Sequence, residues 1–402
     1  MAIKMTGKKE WKLLWPFYAF TFLIGIVSVS MPFYIIFYQN RGFSLTQISV
    51  LFAVMAITRL LSEVPTGVIA DVFGRRVSSI AGFFLTSFIW IFVPLASSSY
   101  FALILLMVLL AISQTLISGA YEAWVYDWLK QNKAKKLISE FYAKTQTFGY
   151  SGLIIGPFIG GLLASVLRLD WLFIIDGVGG ALLCVILLLF TKEKFKKVAY
   201  NVKRNFKQIL NTAKKGFKFI LSAKKFKLMM VAGASFAGWG AIGELAKQPF
   251  LVNLGMPISY LGFFFSILGV FVAIAPLLGV KLLKNVSERK VFATFALSVF
   301  LLSLLILFAR APYYLYGAMI LIIIEVIFLA QMPLFNAHIQ HLLPSKTRAT
   351  ILSTQNMAEE IVYGIAMVAG GIVMTVLSPK IGLVLSGFFM LPALISFLLM
   401  RE

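Results

Sequence analysis

The sequence predicts an all-α membrane protein of twelve transmembrane helices in two pseudo-symmetric six-helix bundles. Three observations carry that expectation. The first is composition: 60% of the 402 residues are hydrophobic and the mean hydropathy is +0.92, whereas soluble domains are closer to half apolar. The second is the recurrence of apolar runs of about 20 residues, the length that spans a bilayer as a helix. The third is internal repetition. Gly42, Gly67, Gly152, Gly160 and Gly161 recur as Gly255, Gly279, Gly364, Gly370 and Gly371, all at offsets near 212 residues. A duplicated six-helix unit accounts for that spacing.

The first six apolar segments run roughly over 13–38, 45–70, 77–96, 100–128, 139–167 and 170–191. The second six run roughly over 227–253, 258–283, 290–309, 313–342, 348–377 and 381–400. Backbone hydrogen bonds must close within each segment in lipid, which a helix achieves and an open sheet does not. Pro94, Pro157, Pro276 and Pro333 are compatible with this, because neighbouring groups re-satisfy the freed carbonyls. The first run, Leu13 to Tyr38, is long and carries no small-residue cleavage site, so it reads as a retained first helix.

Lys and Arg placement sets the expected orientation. Lys4, Lys8, Lys9 and Lys12 precede segment one, Lys130, Lys133, Lys135 and Lys136 follow segment four, and Lys284, Arg289 and Lys290 follow segment eight. The opposite loops hold single cations, Arg41, Arg168, Arg310 and Lys380. Both termini are therefore expected in the cytoplasm, with the chain multi-pass in the cell membrane. Residues 1–191 and 227–402 are the expected bundles, joined by a lysine-dense linker at 192–226. Within it, Phe206 to Leu221 alternates apolar residues with Lys at helical spacing. This pattern predicts a basic amphipathic helix drawn to anionic lipid on the cytoplasmic leaflet.

Several function classes fall away. The net charge of +22 invites a nucleic-acid reading, but most of it is accounted for by topology. The single cysteine, Cys184, allows no disulfide within the chain. His338 and His341 lack a third ligand at metal-binding spacing, and no Gly-rich phosphate loop ending in Lys-Ser/Thr is present. No enzyme activity, metal or cofactor is expected, and the chain is expected to act as a monomer.

The turn Gly67-Val-Ile-Ala-Asp71-Val-Phe-Gly74-Arg75-Arg76 places a carboxylate and two guanidinium groups between two apolar segments. Its pattern resembles the loop between helices 2 and 3 of major facilitator superfamily transporters. The resemblance implies a cytoplasmic latch between the halves, with Asp71 facing the N-terminus of segment eleven and Arg75 pairing with Asp127 at the end of segment four. A second stretch, Gly152-Leu-Ile-Ile-Gly156-Pro157-Phe-Ile-Gly160-Gly161, gives a smooth face for close helix approach. It also resembles the antiporter motif of drug:proton exporters in that superfamily, although Ala143 stands where an upstream glycine belongs. Glu63 to Gly67, Ser118 to Asp127 and Pro344 to Thr350 resemble a prokaryotic group of efflux permeases. These resemblances imply proton-coupled export of a small, partly apolar solute or drug. An uptake symporter or a metabolite or ion exporter of the same fold is the alternative. A non-transporting membrane receptor is the reading from another class, and it gives no reason for acids at mid-membrane.

Charges inside apolar segments cost about 2.5–3.5 kcal/mol each on insertion scales, so each needs a partner or a task. Arg59 with Glu63, and Glu244 with Lys247, stand four and three residues apart and are placed to pair along their own helices. Asp176 is expected to be wet near the outer end of segment six. Glu122, Glu244, Glu325, Glu359 and Glu360 are the proton-coupling candidates, since desolvation favours the protonated carboxyl. Glu325 lies within Ile322 to Phe328 with no cation nearby in sequence. Tyr34, Trp124, Trp239 and Phe335 are candidates for an apolar wall of the solute cavity.

Overall fold

The computed structural model describes residues 7–193, 224–283, 285–343 and 348–400. Twelve spans within them are long and apolar enough to cross a membrane. The first six are α1 (Glu10–Asn40), α2 (Leu45–Phe73), α3 (Arg75–Ala96), α4 (Tyr100–Gln131), α5 (Lys135–Ala164) and α6 (Leu169–Phe190). The second six are α7 (Lys225–Asn253), α8 (Ile258–Leu283), α9 (Glu288–Phe308), α10 (Tyr314–Leu342), α11 (Ile351–Val376) and α12 (Pro379–Leu399). No strand occurs among the described residues. The amphipathic pattern at Phe206 to Leu221 and the stretch Pro344 to Thr347 lie outside the described residues.

The helices group into two compact units. One comprises the described parts of Met1–Phe33, Leu61–Tyr200 and Phe265–Gly269. In it α1 packs on α5 and α6, and α3 lies against α4 and α6. Its core is aromatic: Phe17, Tyr18, Trp124 and Phe141 are buried together with Leu14, Leu129 and Leu187. The Phe17 and Trp124 rings meet edge-on with centroids 5.1 Å apart, a favourable geometry for aromatic quadrupoles. The other unit comprises the described parts of Tyr34–Leu60, Asn201–Phe264 and Val270–Glu402. There α7 packs on α11 and α12, and α9 lies against α10 and α12. Phe236, Phe292, Phe335 and Phe397 are buried at its centre. The pairing of helices in the first unit thus recurs in the second at an offset of six spans.

Two short connections repeat in atomic detail. At the end of α1 the Gly42 amide donates to Gln39 O at 2.9 Å and the Phe43 amide to Tyr38 O at 3.2 Å. At the end of α7 the Gly255 amide donates to Val252 O at 2.9 Å and the Met256 amide to Leu251 O at 3.1 Å. Gly42 has φ +88° and Gly255 φ +89°, the left-handed region in which a Cβ is penalised. Both are helix C-caps that only glycine fits without strain.

Three spans are interrupted, which the apolar pattern alone does not reveal. The helix of α1 stops at Val27 and restarts through a short 3-10 turn at Met31–Phe33. α4 breaks at Ser118 and Gly119, where φ is +68°. α12 breaks between Gly387 and Met390.

Candidate functional site

The break in α1 frees backbone N–H groups that need acceptors in an apolar setting. In the first unit, Asp176 on α6 supplies them. Its Oδ1 accepts from the Val29 amide at 2.8 Å and the Ser30 amide at 3.2 Å, and Oδ2 accepts from the Ser30 hydroxyl. Asp176 is only 9% exposed, so it is not the wet outer residue that its position suggests. A carboxylate that caps a broken helix explains its place in an apolar run. In the second unit, Gln248 on α7 serves the restarted helix, its Oε1 accepting from the amides of Ile35 at 2.9 Å and Ile36 at 3.4 Å.

The same unit gathers six ionisable groups from α2, α7, α10 and α11, and their pairing departs from sequence neighbourhood. Arg59 bonds Glu360 on α11 at 3.2 Å rather than Glu63, which is exposed. Lys247 pairs with Glu325 on α10 rather than with Glu244. Helical neighbours three or four apart are only one option; a facing helix offers a shorter approach when both side chains turn inward. Glu325 therefore does have a cation, supplied 78 residues away. Glu244 instead accepts from two tyrosines: the Tyr34 hydroxyl at 3.0 Å and the Tyr363 hydroxyl at 2.6 Å. This carboxylate ties α1, α7 and α11 together. Glu359 accepts from Gln355 Nε2 at 2.8 Å. Four acids thus share two cations, and Glu244 and Glu359 have no ion-pair partner among the described residues.

Beside this group α7, α10 and α11 enclose a cavity of about 360 Å³, within the range of small-molecule sites. Phe236, Phe335, Asn336, Gln355, Asn356 and Glu359 are among its lining residues. Gln331 on α10 is fully buried, with neither side-chain polar atom hydrogen-bonded.

The turn after α2 makes its bonds within the first unit. Gly74, at φ +103°, reverses the chain. Glu193 caps the start of α3, accepting from the amides of Arg75 at 3.2 Å and Arg76 at 3.0 Å, as the positive end of a helix favours. Arg75 Nη1 bonds Asp127 on α4 at 2.8 Å, the partner expected of it. Arg76 donates to Leu188 O at 2.8 Å and to Thr191 Oγ1 at 3.3 Å at the end of α6. Asp71 is half-buried in the last turn of α2, and Gly67 has open space where a Cβ would stand.

A family model described as Major Facilitator Superfamily matches residues 17–367. The chain belongs to the major facilitator superfamily. Its members are transporters, and by fold this is a multi-pass secondary transporter, not an enzyme. The uncharacterized MFS-type transporter YxaM of Bacillus subtilis (strain 168) is 26% identical over 389 residues, covering 94% of each chain. A bacterial homologue of the human lysosomal transporter Spinster, in an inward-facing and occupied conformation, aligns with a TM-score of 0.76. That match covers 98% of this chain and 97% of the homologue at 16% identity. The nucleoside transporter NupG aligns with a TM-score of 0.74 over 96% of this chain and 98% of its own at 13% identity. At such identities the two structures show the fold alone.

Within this superfamily member the glycines of α5 have a plain structural task. A Cβ on Gly152, Gly156 or Gly160 would meet the carbonyl oxygens of Phe22, Gly25 and Val29 on α1. The stripe seats α1 backbone-to-backbone, and Pro157 and Gly161 are buried beside it. Trp124 is fully buried in the aromatic core of the first unit. The Trp239 ring lies tilted against that of Phe328 with centroids 4.5 Å apart, and only Phe335 of the four wall candidates lines the 360 Å³ cavity. Tyr34 is instead a donor to Glu244. Glu122 is exposed, with the Tyr142 hydroxyl at 3.4 Å. His338 pairs with Glu288 on α9 and has no metal-binding company; no cluster of three ligating side chains occurs among the described residues.

Gln248, Gln355 and Tyr363 escaped sequence reasoning. A signal existed for each. Gln248 follows Lys247 in an apolar run, and Gln355 and Tyr363 flank Glu359 at four residues on either side, the spacing that stacks side chains on one helix face.

Proposed function

We propose that this transporter exchanges protons for a small, partly apolar solute and moves the solute out of the cell. The halves 1–191 and 227–402 are the alternating bodies, and both termini are cytoplasmic. The observation that carries the reading is the pair of membrane-embedded acids, Glu244 and Glu359, that have no cation partner among the described residues. Glu325 and Glu360 are neutralised by Lys247 and Arg59 and serve as structural pairs. Glu359 lines the cavity where solute sits. Glu244 is the coupling acid. As a carboxylate it accepts from both Tyr34 and Tyr363. Once protonated it carries a donor on one oxygen and has lost its charge, so the two tyrosine bonds weaken from charge-assisted to neutral. Proton loading on Glu244 thereby loosens α1 and α11 from α7, a local charge event acting on a two-state element. The turn Gly67 to Arg76, Asp71 included, acts as the cytoplasmic latch, with Arg75 held by Asp127.

Export is supported by the resemblance of the α5 glycine pattern to the antiporter motif, which stands beside its packing role. The test is transport in proteoliposomes under an imposed pH gradient, with a panel of organic cations, neutral aromatic compounds and anions. At least one compound is expected to move against its gradient in the direction opposite to protons, and a protonophore is expected to stop it. Movement of none of them, or movement indifferent to the protonophore, overturns proton exchange.

A further inference from the structure

The lining of the α7–α10–α11 cavity distinguishes between charge types. Among the described residues that line it, Glu359 is the only ionisable one. Gly233 on α7 leaves the room its carboxylate occupies, since a Cβ there would collide with Glu359 Oε1. Gln355 spends its Nε2 donor on Glu359 at 2.8 Å. Its carbonyl Oε1 is left buried without a hydrogen-bond partner, and Gln355 is itself only 6% exposed. Asn336 and Asn356 add further amide acceptors to the wall. The rings of Phe236 and Phe335, with centroids 5.0 Å apart, also line it.

A negative charge, an unused buried acceptor and aromatic faces together suit one kind of occupant. An ammonium group donates to the carboxylate and to the free amide oxygen, and its charge is attracted to ring faces. A carboxylate solute would face Glu359 with no counter-charge in the lining. A neutral solute would desolvate Glu359 and return a hydrogen bond at most, with no opposite charge to offset the loss. We propose that this cavity binds a small organic ammonium ion, with Glu359 as its counter-ion and the Gln355 carbonyl oxygen as a second acceptor. The inference rests on the transport reading only in naming this cavity as the solute site.

Equilibrium binding to the purified full chain, with no pH gradient, tests it. Isothermal titration at pH 7 would compare 2-phenylethylammonium, 2-phenylethanol and phenylacetate, which share a body and differ in charge. The ammonium probe is expected to bind at least about tenfold more tightly than the other two, and Glu359→Gln to weaken it by about tenfold or more. Asn336→Asp adds a second negative charge to the same wall and is expected to tighten ammonium binding several-fold. This gain remains readable if Glu359→Gln folds poorly. Equal binding of the three probes, no binding of the ammonium, or an Asn336→Asp affinity no tighter than wild type overturns the assignment. Ammonium binding that depends on Glu359, without gradient-driven transport of any compound, removes the exchange reading and leaves this site. Gradient-driven transport without selectivity for ammonium does the reverse.

Discussion

The Lys247–Glu325 pair offers a quantitative test of which acids are structural. The two side chains are 17% and 12% exposed, and each sits on a helix of the same compact unit. Removing one partner of a fully buried pair typically costs 3–5 kcal/mol, because an uncompensated charge stays behind. Residual exposure lets that charge recover some hydration, so Lys247→Met and Glu325→Leu are expected to cost about 2 kcal/mol each. Replacing both removes the desolvation penalty along with the attraction. The double variant is therefore expected to lie within about 1 kcal/mol of wild type, giving a coupling of about 3 kcal/mol, at the upper end for contacting residues. The assay is a double-mutant cycle on equilibrium unfolding in mixed micelles. Costs that add to within about 0.5 kcal/mol would mean the pair does not hold α7 to α10, and the division into structural and coupling acids would fail with it.

Other expectations follow from single observations. Gly156→Leu drives a side chain into the Gly25 carbonyl on α1 and is expected to cost about 1–3 kcal/mol by overpacking. Gly364→Ala, at the place in α11 that corresponds to Gly152 and has open space around it, is expected to leave the thermal midpoint unchanged or slightly raised; a loss equal to that of Gly156→Leu would contradict the seat. Asp176→Asn keeps one acceptor oxygen for three donors and is expected to destabilise by about 2 kcal/mol, read as a lower thermal midpoint; wild-type melting would show that the α1 break needs no cap. Arg75 and Asp127 are about one-third exposed, so their pair contributes little stability. Reversing either charge is expected to slow transport and reversing both to restore part of the initial rate; a double reversal no faster than the singles would separate the pair from gating.

The spans were legible because lipid leaves the backbone few choices. An apolar run of sufficient length between basic or turn residues can close its hydrogen bonds only as a helix. The recurrence of Gly42 as Gly255 was legible too; that both are left-handed helix C-caps emerged only from the backbone geometry. The interruptions of α1 and α4 were hidden. Hydropathy does not register a break when a distant side chain such as Asp176 satisfies the freed amides. Partner choice among buried charges was the least legible feature. Arg59 had Glu63 one turn away and took Glu360; Glu244 had Lys247 three residues on and took two tyrosines instead. Such pairings depend on which helices face each other, information that a single helix does not contain. Arg75 with Asp127 was foreseen because the motif carries its partner's position as well as its own.

Glu244→Gln, compared in counterflow and in gradient-driven transport within one proteoliposome preparation, tests the central claim most directly. Glutamine preserves the side chain's size and an acceptor for one tyrosine but takes no proton. The account predicts that solute counterflow persists while movement driven by the pH gradient, and the matching change in lumenal pH, disappear. Gradient-driven transport at the wild-type rate in Glu244→Gln would contradict it.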